Sequence, residues 1–258
     1  MILRDRVVVV TGAARGLGAG IAEAVLEAGA RVVLSDLRQN EVEATAKRLE
    51  ASGARTAAFA ADVTDPAAPE RLVAATVARF GRLDGLVNNA GLIEMVPALD
   101  ADPATLDRQF RVNVTGLYAC CQAAARRMIA QAEGGAIVNI ASNAGKVGFP
   151  NMAGYNASKA AVVSLARSLA AEWAAHRINV NAVCPGSVLT PMLTDVAAWL
   201  SPRQGIAADA LLARMVPAQL GRHILPAEVG RVVAFLLSDA AVIIRGQSIN
   251  VDGGETPY

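Results

Sequence analysis

Lysine is nearly missing from this chain. Of 24 basic residues only Lys47, Lys146 and Lys159 are lysine, so the place of each carries information that an arginine's does not. Cysteine is scarce as well. Cys120, Cys121 and Cys184, two of them adjacent, cannot build a paired extracellular framework, which implies a reducing compartment and a cytoplasmic protein. The two histidines, His176 and His223, lie far apart, and no zinc-ligand spacing is present, so no metal is expected. The 24 basic and 23 acidic residues leave a net charge of +1 with no basic block, which speaks against a nucleic-acid partner. Low-complexity and like-charge runs are absent, which speaks against disorder. The start "MILRDRVVVVTG" passes from a short charged stretch straight into a strand and reads as neither a signal peptide nor a membrane span.

What is abundant is small aliphatic mass. Hydrophobic residues make up 53% of the chain and aromatics only 4%, so alanine, valine and leucine dominate. A surplus of this kind fits a deep core, or helices buried against sister subunits. Apolar runs alternate with longer helical stretches. Segments 6–12, 30–36, 54–62, 84–91, 135–142, 178–186 and 247–254 read as strands, mostly apolar over consecutive positions, as a sheet covered on both faces requires. Helices are predicted at about 16–28, 40–52, 66–80, 103–131, 152–175 and 226–238, with Gly29 and Gly53 as C-terminal caps. The alternation predicts an α/β fold: a Rossmann-type doubly wound parallel sheet of about seven strands, helices on both faces, one domain over 1–258. The stretch 187–225 breaks the rhythm with Pro191, Pro202, Pro217 and Trp199, and its place after a strand's carboxyl end marks it as a substrate lid.

"TGAARGLG" (11–18) follows the first strand and opens the first helix. Gly12, Gly16 and Gly18 are spaced G-x-x-x-G-x-G, which lets a backbone turn tightly against a pyrophosphate at a helix N-terminus. Asp36 ends the second strand 18 residues after Gly18, close to the offset of an acid that binds the adenosine ribose. A carboxylate there repels a 2′-phosphate by roughly 4 kcal/mol at about 4 Å and effective ε ≈ 20, so NAD is favoured over NADP. Arg15 and Arg38 stand close enough in sequence to meet a 2′-phosphate instead.

"GYNASKAA" (154–161) sets Tyr155 four residues before Lys159, on one face of a helix. With three tyrosines and three lysines in 258 residues, chance gives such a pair about 3% of the time. A nearby ammonium favours the phenolate, making Tyr155 a general base for an alcohol or acid for a ketone. A tyrosine packed on an apolar helix beside a solvated lysine is the competing reading.

Taken with "NNAG" (88–91), Asn113, Ser142, and "PG" (185–186) with Thr190, these motifs resemble the short-chain dehydrogenase/reductase family, single-domain branch, over essentially the whole chain. The resemblance implies roles. Ser142 would hydrogen-bond the substrate oxygen, Tyr155 would move the proton, and Lys159 would lower its pKa and bind the nicotinamide ribose. Asn113 would distort its helix and hold a water linking Lys159 to solvent. Gly12, Arg15, Gly16, Leu17 and Gly18 would line the pyrophosphate and ribose. Asp62 and Val63 would meet the adenine, Asn89 and Gly91 the adenosine–ribose side. Val188 and Thr190, after Pro185 and Gly186, would hold the carboxamide and phosphate. Leu17 stands where the family often has isoleucine, and "IAS" before the site loop where "ISS" is frequent.

The activity implied is hydride transfer between NAD and a secondary alcohol or ketone, with a polyol or sugar-like substrate. A 3-oxoacyl-thioester reductase using NADPH and a non-catalytic NAD-binding scaffold are the alternatives. Lys146, in "SNAGKVGF", is a further candidate for a polar substrate contact, against a solvated loop lysine. A homotetramer is implied, with a dimer as the alternative.

Overall fold

The computed structural model describes residues 1–257. Seven strands form one sheet: β1 (Val7–Thr11), β2 (Arg31–Asp36), β3 (Thr56–Ala60), β4 (Gly85–Asn88), β5 (Gly135–Ile140), β6 (Ile178–Pro185) and β7 (Ser248–Val251). Every neighbouring pair is parallel, in the order β3-β2-β1-β4-β5-β6-β7. All seven predicted strands are present, with shorter ends.

The apolar runs follow from a sheet with two cores. Along β1, Val8 and Val10 enter one core while Val9 enters the other. β2 splits the same way, with Val32 and Leu34 on one face and Val33 on the opposite one. A strand covered on both sides has no polar face to alternate with. The first core is closed by α1 (Gly16–Glu27), α2 (Gln39–Leu49) and the late helix Pro226–Leu236. The second is closed by α3 (Ala68–Phe80), the segment Leu117–Gln131 and the helix Ala153–Glu172.

Two predicted helices change. The single helix expected over 103–131 is α4 (Pro103–Phe110), a widened π-type turn (Arg111–Gly116) and α5 (Leu117–Gln131). Asp102 caps α4 by accepting a hydrogen bond from the Ala104 N–H at 2.8 Å. Helix α2 stops at Leu49, so Gly53 (φ +66°) serves the turn beyond rather than the cap. Gly29 (φ +105°) does follow the last turn of α1 directly. Helix α6 (Ala153–Glu172) then leads to β6. The irregular stretch after β6 holds α7 (Pro191–Gln204) and α8 (Ala208–Arg214), and α9 (Pro226–Leu236) follows it. Among the described residues no helix is long and apolar enough to cross a membrane.

Strand order reverses between β1 and β4. Loops on either side of that point diverge, and a crevice opens at the strands' carboxyl ends.

Candidate active site

A cleft of about 930 Å³ occupies this crevice. Its walls include every residue predicted to meet a cofactor, from Gly12, Arg15, Gly16, Leu17 and Gly18 to Pro185, Gly186, Val188 and Thr190. Asp36, Asp62, Val63, Asn89 and Gly91 line it too, as do Ser142, Tyr155 and Lys159. Asn113 alone of the predicted set stands behind the wall.

The glycine loop is built for close approach. Gly12 (φ +63°) and Gly16 (φ +58°) hold left-handed conformations. A Cβ on Gly18 would collide with the Gly12 carbonyl and the Asn89 amide. That amide is spent on the loop, donating to the Thr11 and Gly12 carbonyls at 3.0 and 2.9 Å. Asn89 therefore clamps the loop rather than extending toward a ligand. Helix α1 begins at Gly16 without a side-chain cap, so its N–H groups and dipole face the cleft, as a pyrophosphate needs.

At the other end, Asp36 accepts hydrogen bonds from the Ala14 and Leu37 N–H groups at 2.9 and 2.8 Å. Each oxygen keeps a lone pair for a ribose hydroxyl. Arg38 also lines the cleft but grips Glu41 bidentately through Nε and Nη2, and this holds the Glu41 carboxyl below its ordinary range. The carboxylate of Asp62 accepts from the Thr64 N–H and hydroxyl at 2.9 and 2.8 Å. Across the cleft, Thr190 caps α7, accepting from the Leu193 N–H. These features fit a dinucleotide along β1, β2 and β4.

The chemistry sits where β5 meets α6. Ser142 caps the short turn Asn143–Gly145, its Oγ accepting from the Ala144 N–H at 3.1 Å and donating to Asn143 Oδ1 at 3.3 Å. Tyr155 and Lys159 are one turn apart on α6, both buried. The Lys159 amine lies 5.6 Å from the Tyr155 ring centroid and donates to the Ile140 carbonyl at 2.8 Å. Burial pushes the Tyr155 phenol up, opposed by a hydrogen bond with Ser142. The same burial pushes the Lys159 ammonium down to about 8. In the protein alone desolvation governs Tyr155, and the only counterweight is Ser142 rather than the expected Lys159.

Asn113 is fully enclosed in the widened turn before α5. Its Oδ1 accepts from the Leu92 N–H at 2.7 Å, and its Nδ2 donates to the Leu92 carbonyl at 2.8 Å and Ser158 Oγ at 3.0 Å. The helix is distorted as the resemblance implies. The side-chain amide bonds Leu92 and Ser158 and so fixes the turn that packs against α6.

Lys146 turns away from the cleft. Its amine donates to the Ser248 carbonyl at 2.7 Å, tying the site loop to β7, so the substrate contact considered for it is corrected. One acid at this end is Glu255, just after β7. It accepts from Asn143 Nδ2 and from the Ser187 N–H at 3.2 Å each, and from Ser187 Oγ at 2.9 Å. Sequence reasoning missed Glu255, though an acid past a strand's carboxyl end was a usable signal.

A family model described as short chain dehydrogenase matches residues 6–201. The D-threitol dehydrogenase of Mycolicibacterium smegmatis is 40% identical over 254 residues, covering 98% of this chain and 94% of that one. The sorbitol dehydrogenase of Cereibacter sphaeroides is 37% identical over 255 residues, covering 98% of each. Among solved structures, a variant of actinorhodin polyketide ketoreductase with NADPH superposes with a TM-score of 0.93 at 34% identity, covering 98% of both chains.

Proposed function

The chain belongs to the short-chain dehydrogenase/reductase family, and from that premise we propose that it oxidises a polyol or sugar-like secondary alcohol to the ketone with NAD. The observation that carries this reading is the meeting of Ser142, Tyr155 and Lys159 at one end of a cleft whose other end holds Asp36. Bound in this cleft, NAD would supply the hydride acceptor.

The protein's own residues do the rest. Ser142 Oγ hydrogen-bonds the substrate oxygen and fixes the carbon that is oxidised. Tyr155 Oη, as the phenolate that Lys159 stabilises, takes the hydroxyl proton and becomes the phenol. Asn113 keeps Leu92 and Ser158 in place. Asp36 selects the cofactor by accepting two ribose hydroxyls and repelling a 2′-phosphate. Arg38, held by Glu41, is not offered to that phosphate. The polyol assignment draws on what the threitol and sorbitol enzymes are named for. The same reading makes 187–225 a lid over the substrate and the protein a cytoplasmic homotetramer.

A 3-oxoacyl-thioester reductase using NADPH is the second reading, favoured by the NADPH carried by the ketoreductase it superposes on. A scaffold that only binds NAD does not need a serine, tyrosine and lysine in catalytic register. Initial rates with NAD and NADP against polyols, simple secondary alcohols and 3-oxoacyl thioesters separate these readings. The expected outcome is polyol oxidation with NAD preferred at least tenfold. Thioester reduction with NADPH as the dominant activity would overturn it.

A further inference from the structure

The substrate end of the cleft has an unusual lining. Four of the chain's six methionines, Met95, Met152, Met192 and Met215, line the cleft. Thioether side chains are flexible and apolar and fit a hydrocarbon surface without fixing its shape. Two carboxylates share this end. Asp195 stands exposed on α7. Glu255 is tied in: its carboxylate accepts from Asn143, whose own Oδ1 accepts from the Ser142 hydroxyl. Glu255 is thus two hydrogen bonds from the group that holds the reacting oxygen. Gly186 clears its place, because a Cβ there would collide with Glu255 Oε2 and Asp252. Ser187 fixes the carboxylate from the other side.

We propose that Glu255 is a specificity-determining residue that accepts a hydrogen bond from a second hydroxyl of the substrate. That hydroxyl lies one or two carbons from the carbon being oxidised, and the remaining skeleton rests on the methionine wall. The inference builds on the alcohol-dehydrogenase reading above. It names the substrate class as neutral 1,2- or 1,3-diols, and it excludes hydroxycarboxylates, whose charge a second carboxylate repels. Such an acceptor favours the diol, since an analogue without the hydroxyl forgoes a charge-assisted hydrogen bond to the carboxylate.

Matched pairs test this: cyclohexanol with cis-cyclohexane-1,2-diol, and butan-2-ol with butane-2,3-diol, plus 3-hydroxybutyrate as the anion. Each is assayed with the wild type, Glu255→Gln and Glu255→Ala, with thermal melting to confirm that both variants fold. The wild type is expected to favour the diol of each pair at least tenfold in kcat/KM. Glu255→Ala should collapse that ratio to about threefold or less, mainly through KM, and improve relative use of 3-hydroxybutyrate. Glu255→Gln, which keeps an acceptor oxygen without the charge, should hold part of the diol preference. A ratio that survives Glu255→Ala, or an equal fall for diol and mono-alcohol, overturns the proposal and leaves the dehydrogenase reading intact. No oxidation of any alcohol by the wild type, with NAD or NADP, removes both.

Discussion

Burial acts in opposite directions on the Tyr155 phenol and the Lys159 ammonium. The phenol is pushed up and the ammonium down to about 8, so in the protein alone the ammonium is the first of the two to lose a proton. Below that pH both protons are held and the pair cannot accept one from an alcohol. Above it the pair is a base. The kcat/KM for alcohol oxidation should therefore rise from pH 6 and level off at about pH 8 or lower, since an oxidised cofactor adds positive charge that pushes the same way. Lys159→Arg replaces a titrating ammonium with a guanidinium that stays protonated. Its rising limb should move to higher pH, toward the phenol's own raised value. A limb that stays in place would mean another group titrates there. These roles were legible because few residue types serve them: a lysine in an arginine-rich chain, a tyrosine four residues before it, an acid at a strand end. The partners of Glu255 and Lys146 were not legible, because loop side chains aim at distant residues. Lys146 meets Ser248 102 positions away, and Glu255 meets Asn143 112 away.

At the level of elements, the sheet was readable because runs such as Val7–Val10 feed two cores at once. The break at Arg111–Gly116 was not. Apolar periodicity continues through a single widened turn, within which Asn113 bonds Leu92 and Ser158. Removing that amide leaves the Leu92 N–H and carbonyl without their partner in a buried setting. Asn113→Ala should cost about 3 kcal/mol, which for a chain of this length is a fall in Tm of roughly 10 °C. Because the turn that packs against α6 loosens, kcat should fall more than KM changes. Melting curves and steady-state kinetics on the variant check both. An unchanged Tm would mean that the amide contributes nothing to holding the turn.

The whole molecule leaves apolar surface beside its sheet edge. Ile243 is 89% exposed, with Val242 and Phe235 near it in sequence on the approach to β7. A second group, Leu106, Tyr118 and Ile129, lies on α4 and α5. Patches of this kind beside an open strand edge are covered in a stable assembly, and two separate ones fit the dihedral tetramer of the proposed reading. Light scattering after size exclusion should give four chain masses for the wild type, and Ile243→Glu should reduce the assembly to dimers. A monomeric wild type would remove the tetramer from the account.

The central claim is that Tyr155 moves the substrate proton in a cleft built to hold NAD. Tyr155→Phe removes the hydroxyl and keeps the ring, so NAD affinity measured by calorimetry and alcohol oxidation measured by absorbance of the reduced cofactor can be compared directly. The account expects turnover to fall at least a thousandfold while the Kd for NAD changes by less than tenfold. Oxidation persisting in Tyr155→Phe at a rate near the wild type's would contradict it.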